Sequence, residues 1–182
     1  MLEDRPAAGG EVAVFLIDLG SFKPVNDTDS HAAGDQVLIE TARRLRSGVG
    51  EMGIVRRLDG DEFVCAVHDL PGTDATMEFA ATLSAIISRP IAWDQRELTI
   101  AASIGVTMTG NGPPAPPASV PALCSAADQA MFASKSSPSR GPVLYQEQLF
   151  APRMTPDNKQ ILVDSVANAT LLPFYKPNIP LP

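Results

Sequence analysis

An Asp-Gly dipeptide between two runs rich in apolar residues is the feature that most constrains the fold of this chain. The runs are Gly53–Leu58 and Phe63–Val67, and the residues between them are Asp59-Gly60-Asp61-Glu62. Asp-Gly in this setting is a strong local signal for a tight β-hairpin with positive φ at the turn. The sequence therefore predicts two antiparallel strands joined by a rigid tip on which acidic groups crowd together.

Another acid stands at the end of the first predicted strand. The run Val12–Ile17 is continuously apolar, which predicts a buried strand, and Asp18 follows it directly. An acid at a strand's end beside an acidic hairpin suits a divalent cation with a phosphate-bearing substrate. The reason is that Mg²⁺ prefers carboxylate oxygens and leaves coordination positions open for phosphates. We therefore expect metal-dependent phosphate chemistry near these acids.

The remaining periodicities predict a mixed fold. Apolar residues at helical spacing predict helices over 32–47 and 74–88, and Ser119 is a candidate N-cap for a third helix that runs through Lys135. An irregular loop is expected after Asp18, and further strands are predicted at Ile91–Trp93, Leu98–Met108 and Gly141–Tyr145. This order indicates an α+β domain with a ferredoxin-like βαββαβ sheet and helices on one face.

The composition excludes several classes of protein. The net charge is −7, whereas a nucleic-acid surface needs clustered Lys and Arg. Two cysteines are too few for a disulfide framework or a Cys-based metal site. No apolar run approaches the roughly 18 residues of a membrane span, and the first residues are no signal peptide. We expect a cytoplasmic protein with no nucleic-acid partner and no direct membrane insertion.

Five sequence blocks, in order, resemble the motifs of the GGDEF domain, the family that includes the diguanylate cyclases. The blocks are Asp18–Asp27 ("D-x-D-x-F-K-x-x-N-D"), Gly34–Leu38 ("G-D-x-x-L"), Arg57–Phe63 (the signature), Ser103–Val106 ("S-I-G-I/V") and Ala127–Lys135 ("A-D-x-A-M-Y-x-A-K"). The resemblance implies a nucleotidyl-cyclase-like sheet with helices packed on it and an added hairpin. The domain is expected to span 12–146.

The resemblance also implies the chemistry. Diguanylate cyclases join two GTP molecules, each held by one domain, so that activity requires a homodimer. The metal ligands would be Asp18, the Leu19 backbone carbonyl and Asp61, and the metal would be Mg²⁺ or Mn²⁺. The catalytic residues would be Asp61 and Glu62, with Glu62 helping to activate the 3′-hydroxyl.

Six further residues would contact GTP by the same resemblance. Asn26 and Asp35 would read the guanine edge, and Lys23 and Lys135 would hold phosphates as point charges. The implied substrate-binding set is Phe22, Lys23, Asn26, Asp35, Gly60 and Lys135. Taken one at a time these residues also fit plain turn, loop and helix-terminus chemistry. Together and in register they favour the functional interpretation.

The sequence departs from the family pattern at four places. Asp59 replaces the first glycine of the signature, and at about 4 Å from a phosphate this charge costs on the order of 4 kcal/mol at an effective dielectric near 20. Gly20 replaces the second acid of "D-x-D", and Pro138-Ser139-Arg140 replaces the usual "G-R-N". Gly50–Gly53 stands where many cyclases carry an inhibitory "R-x-x-D", so product inhibition is not expected there.

The two ends of the chain suggest a larger protein. Residues 1–11 are interpreted as an N-terminal remnant and 147–170 as a linker helix. Residues 171–182 weakly resemble the opening strand of an EAL domain, the cyclic di-GMP phosphodiesterase family; a disordered, Pro-rich terminus is the alternative. Three hypotheses follow: a degenerate GTP-binding domain that regulates an EAL domain in cis, a working homodimeric cyclase, or a purely structural dimerisation domain.

Overall fold

The computed structural model describes residues 11–109, 120–137, 139 and 141–146. All of them lie in the first of the two units, Met1–Phe150 and Ala151–Pro182, into which the chain divides. The interpretations of residues 1–10, of Ser119, of the 147–170 linker helix and of the 171–182 segment therefore lie outside the described residues. Within the described ranges, no helix combines the length and the apolar character that crossing a bilayer requires.

The described residues form an α+β domain, as the sequence predicts. Its elements are β1 (Val12–Gly20), α1 (Phe22–Thr28), α2 (His31–Val49), β2 (Gly53–Asp59), β3 (Glu62–His68), α3 (Gly72–Ile87), β4 (Ile91–Trp93), β5 (Arg96–Leu98), β6 (Ala101–Met108), α4 (Val120–Ser136) and β7 (Val143–Leu144). The main sheet has the strand order β2-β3-β1-β6-β7, in which only the last pair is parallel. Strands β4 and β5 form a separate two-stranded hairpin.

Helices cover both faces of the sheet. Phe15 and Ile17 of β1 lie in the larger core with α2 and α3, whereas Val14 and Leu16 pack against α4. A strand that is apolar on both sides needs a cover on both sides. The expectation that the helices of the strand–helix–hairpin–helix–hairpin order share one face is therefore confirmed for α2 and α3, whereas the third predicted helix, α4, lies on the other face.

Two local predictions are wrong. The expected loop after Asp18 is instead the short helix α1, which Ser21 starts with a φ of 68° and in which Pro24 occupies the first turn, where a missing N–H is tolerated. The expected single strand Leu98–Met108 is divided, because Leu98 pairs with β4 and only Ala101 onward joins β1. The first departure arises because α1 is too short to show a period, and the second depends on which strands pair.

Gly105 explains how α4 comes close to the sheet. A Cβ atom at this position would lie 2.0 Å from the backbone oxygen of Ala127 and 2.3 Å from the backbone nitrogen of Met131. Only glycine therefore allows the helix backbone to rest directly on β6. This close packing fixes the path of α4, and with it the position of Lys135 in the last turn of the helix.

Candidate functional site

Three polar residues form a row across the end of the main sheet. Asp18 on β1 is the direct partner of Glu62 on β3 and of Ser103 on β6. Directly opposed residues place their side chains on the same face, with Cβ atoms about 4.5–5.5 Å apart. Because Leu16, two residues before Asp18, packs against α4, this row lies on the α4 face.

The tip of the signature hairpin is attached to the end of β1. The Leu19 N–H donates a hydrogen bond to the Asp61 carbonyl at 3.2 Å, which brings Asp61 beside Asp18. Gly60 has a φ of 47°, which confirms the predicted positive φ at that position. Asp59 has no positive φ, so the acid that replaces the family's glycine fits the turn without backbone strain.

The side chain of Asp59 is held by its own turn. Its Oδ1 accepts a hydrogen bond from the Gly60 N–H at 2.9 Å, and Arg57 Nε donates to the Gly60 carbonyl at 2.8 Å. All three residues are exposed. The Asp59 carboxylate is thus an exposed negative charge fixed at the hairpin tip.

Lys135 reaches the row from α4. Its Nζ lies 2.7 Å from Asp18 Oδ2, with the two side chains 37% and 16% exposed. Both residues border a cavity of about 310 Å³. The full lining of this cavity is Asp18, Leu19, Gly20, Ser21, Phe22, Lys23, Pro24, Asp61, Ser103 and Lys135. The structure therefore gathers six of the sequence-predicted site residues around one space.

Glu62 lies in an unfavourable electrostatic position for a carboxylate. Burial raises its pKa above the ordinary value; Lys135 opposes this shift, and Asp18, Asp128 and Asp61 add to it. A carboxyl group with a raised pKa is a better proton acceptor than an ordinary one. The environment of Glu62 therefore suits a general base, the type of role that the sequence predicts for it.

The donor set fits a cation that arrives with phosphates. No group of three or more His, Cys, Asp or Glu side chains suited to hold a metal occurs in the described ranges. Mg²⁺ sites in phosphate-handling proteins use one or two carboxylates and complete their shell with water and substrate phosphates. Asp18, Asp61 and the Leu19 carbonyl meet that requirement without a third carboxylate.

The predicted guanine-reading residues lie together, apart from this cavity. A Cβ atom on Gly34 would be 2.0 Å from Asn26 Oδ1, so the Asn26 side chain rests directly on the residue before Asp35. Asp35 is exposed in the first turns of α2, and neither Asn26 nor Asp35 lines the cavity. The structure thus separates the predicted base end of the site, at Asn26 and Asp35, from the predicted metal end, at Asp18 and Asp61.

Ser103 and Asp128 received no role from sequence reasoning. Asp128 adds to the field at Glu62, and Ser103 lines the cavity opposite Asp18. The signal for Ser103 was a polar residue in the first half of a largely apolar strand. Its pairing with Asp18 joins strands 85 positions apart in sequence, so no local pattern reveals it.

The comparisons with known proteins agree on one family. The sequence profile described as "Diguanylate cyclase, GGDEF domain" matches residues 2–140. An uncharacterized 19.3 kDa protein of Streptomyces ambofaciens is 45% identical over 71% of this chain and 66% of its own length. The bifunctional diguanylate cyclase/cyclic di-GMP phosphodiesterase MucR of Pseudomonas aeruginosa is 32% identical over 93% of this chain, but over only 24% of its own length.

A solved structure shows the same architecture. The crystal structure of the GGDEF domain of TpbB from Pseudomonas aeruginosa superposes with a TM-score of 0.68 at 31% identity. The match covers 75% of this chain and 83% of that domain. This chain therefore spans most of an isolated domain of this kind but only a quarter or less of a relative such as MucR.

Proposed function

The chain belongs to the GGDEF domain family of cyclic di-GMP signalling, and on that premise we propose that it binds GTP together with Mg²⁺ or Mn²⁺, has weak or no cyclase activity, and regulates an EAL phosphodiesterase domain attached in cis. The observation that carries the binding is the arrangement of Asp18 and Asp61 around one cavity with Lys135. In it the two carboxylates supply metal ligands and the ammonium supplies a phosphate contact.

Binding would rearrange the charges in a definite order. Lys135 neutralises Asp18 at 2.7 Å. A divalent cation at Asp18 repels the ammonium, while the triphosphate attracts it, so Lys135 would move from the carboxylate to the phosphates. Lys23, exposed on the same cavity, would add a second positive charge. Asn26 and Asp35 would meet the guanine edge at the base end.

The preference for regulation over catalysis rests on Asp59. Its carboxylate is exposed and fixed at the tip of the hairpin that carries Asp61 and Glu62. A third negative charge there repels the phosphates and weakens the close approach that a working cyclase needs. GTP binding with a slow or absent reaction follows from this arrangement.

The attached EAL domain is supported by one relative. MucR carries both a diguanylate cyclase and a cyclic di-GMP phosphodiesterase activity by name, and its match extends over 174 residues and 93% of this chain. That length exceeds the GGDEF profile match, which ends at residue 140. On the likeness to this bifunctional relative we base the proposal that a phosphodiesterase domain is attached to the GGDEF domain.

The second candidate function is an active homodimeric diguanylate cyclase. It is favoured by the environment of Glu62, because burial and the neighbouring acids raise its pKa toward that of a general base. In this case Glu62 accepts the proton of the GTP 3′-hydroxyl. Asp18 and Asp61 would hold the metal, which would supply positive charge to the attacked phosphoryl group.

Calorimetry and product analysis separate the two functions. Titration with Mg²⁺·GTP should show binding, with Mg²⁺·ATP and the Asp18→Asn variant as matched controls that bind weakly. Wild type and Asp59→Gly, each also fused to a dimerising coiled coil, are then incubated with Mg²⁺ and GTP and analysed by chromatography for cyclic di-GMP.

The proteins that form product and the presence of binding distinguish the outcomes. Product from Asp59→Gly alone supports the regulatory role, because one charge then silences an intact site. Product from the wild type at a comparable rate establishes the cyclase instead. Absence of GTP binding at millimolar nucleotide overturns both.

A further inference from the structure

One hydroxyl at the metal end of the site is buried without a partner. Ser103 is 1% exposed, and its Oγ accepts and donates no hydrogen bond within the described part of the chain. Native proteins rarely leave a buried polar group in this state, because its lost hydration is not replaced. The Ser103 hydroxyl is therefore available to pair with a neighbouring group that changes its own partner.

A second serine in the same region behaves differently. Ser134 of α4 is 0% exposed, but its Oγ donates to the Gly141 carbonyl at 2.8 Å and accepts from the Ile104 N–H at 3.3 Å. Ser134 therefore joins three segments of the fold. Ser103 joins nothing and lines the cavity with Asp18 and Lys135.

Strand pairing places Ser103 beside Asp18. The two residues are direct partners on β6 and β1, with side chains on one face. Lys135 already forms an ion pair with Asp18 Oδ2. When a metal ligates Asp18 and Lys135 leaves, the carboxylate needs a new donor to fix its orientation, as ligating carboxylates in metal sites generally have.

We propose that Ser103 is a positioning residue for Asp18. Its hydroxyl donates a hydrogen bond to the Asp18 carboxylate in the metal-bound state and holds that carboxylate in the orientation that binds the cation. The inference rests on the proposed binding of GTP with a divalent metal, and it adds a residue to which no role in that site is assigned.

The Ser103 hydroxyl should have opposite effects on the stability of the ligand-free protein and on metal binding. Without ligand, removal of an unpaired buried hydroxyl leaves the protein as stable as before or more stable. With ligand, removal takes away an outer-shell hydrogen bond and weakens metal binding about 10-fold, the lower end of such effects. A purely structural serine shows neither behaviour, because its loss destabilises the empty protein.

The test compares Ser103→Ala with Ser134→Ala in the full chain. Unfolding temperatures are measured without ligand, and Mn²⁺ binding is followed by electron paramagnetic resonance in the presence of a non-hydrolysable β,γ-imido analogue of GTP. Ser103→Ala should unfold at or above the wild-type temperature and should bind Mn²⁺ about 10-fold more weakly. Ser134→Ala should unfold earlier and, once folded, should bind Mn²⁺ as the wild type does.

The outcomes separate this inference from the function on which it rests. Unchanged Mn²⁺ affinity in Ser103→Ala, or an unfolding temperature lowered as in Ser134→Ala, overturns the positioning role alone. Failure of the wild type to bind Mn²⁺ with the analogue overturns the proposed function, and the positioning role with it.

Discussion

The domain carries two clusters of charged side chains that differ in how many of their charged groups have a partner of opposite charge. In the α2 cluster (Glu40, Arg43 and Arg44), one carboxylate meets two guanidinium groups at 2.7–2.8 Å. Hydrogen bonds from Arg43 and then Arg44 lower the pKa of Glu40 to about 2. Each charged group of this cluster therefore has a partner of opposite charge within the protein itself.

The acidic cluster (Asp18, Asp61, Glu62 and Lys135) is the opposite case. Three carboxylates share one ammonium, and that ammonium is 2.7 Å from only one of them. Burial, supported by the neighbouring acids, raises the pKa of Glu62. The difference indicates that charges paired within the protein stabilise the fold, whereas unpaired carboxylates at a cavity favour the binding of a positively charged ligand.

The largest effect is expected from Arg44→Met, which disrupts the α2 cluster. Besides Glu40, Arg44 binds the carbonyls of Ile86, Ile87 and Pro90 at 2.8–3.2 Å and so satisfies the end of α3. Its side chain is 10% exposed. Arg44→Met should therefore lower the free energy of unfolding by about 3 kcal/mol, as expected when one partner of a buried charge network is removed.

Urea unfolding followed by circular dichroism measures this loss. Arg43→Met is the matched control, because Arg43 contacts the same Glu40 but its side chain is 66% exposed. Its unfolding midpoint should stay close to that of the wild type. Equal destabilisation by the two variants would contradict the view that Arg44 stabilises the domain by donating hydrogen bonds to the carbonyls at the end of α3.

The second-largest effect is expected from a substitution in the acidic cluster. Lys135→Met removes the ammonium that occupies Asp18, so the nucleotide-free protein should bind Mn²⁺ more tightly than the wild type. With metal present, the same variant should bind GTP about 10-fold more weakly, because a charge-assisted phosphate contact is lost.

Lys23→Met is the control for Lys135→Met. Lys23 lines the same cavity but forms no ion pair with Asp18. It should therefore weaken GTP binding and leave nucleotide-free Mn²⁺ affinity unchanged. Paramagnetic resonance and calorimetry read the two affinities, and equal Mn²⁺ affinity in wild type and Lys135→Met would show that the ammonium does not compete with the metal.

The smallest effect is a pair of pH dependences with opposite sign. The pKa of Glu62 is raised by burial, so its contribution to stability is present in acid and is lost as pH rises through that pKa. Glu62→Gln should therefore be more stable than the wild type at pH 7, and the difference should vanish at pH values below the ordinary glutamate pKa.

Glu40→Gln should show the reverse. The pKa of Glu40 is lowered to about 2, so its contribution is present above the ordinary glutamate pKa and is lost as pH falls toward 2. This variant should be less stable than the wild type at pH 7, by at most about 1 kcal/mol because Arg43 is exposed. Unfolding midpoints between pH 3 and pH 7 test both signs, and the same sign for both variants would contradict the comparison.

The sequence predicts the parts of the fold that depend on short-range pattern. The Asp59-Gly60 turn, the apolar run of β1 and the helical periodicity of α2 and α3 each lie within one segment, and the structure confirms them. The seven-residue helix α1 was missed because it is too short to show a period. The side of the sheet that α4 covers was not predicted, because the packing of α4 on β1 is a long-range contact.

The candidate site also has a part that the sequence predicts and a part that it does not. The resemblance to a family places Asp18, Asp61 and Lys135 in one site, and the structure brings them to one cavity, while their roles stay predictions. Ser103 was missed as a site residue because its position is set by strand pairing with Asp18 and not by its neighbours in sequence. Long-range register is thus the information that sequence reasoning lacked.

The measurement that most directly tests the account is thermal unfolding with GTP, with and without Mg²⁺, for the wild type and Asp18→Asn. The account predicts that GTP raises the unfolding temperature of the wild type only when Mg²⁺ is present, since the cation completes the acidic cluster. It predicts no such rise for Asp18→Asn. An equal rise without Mg²⁺, an equal rise in Asp18→Asn, or no rise at millimolar nucleotide would contradict it.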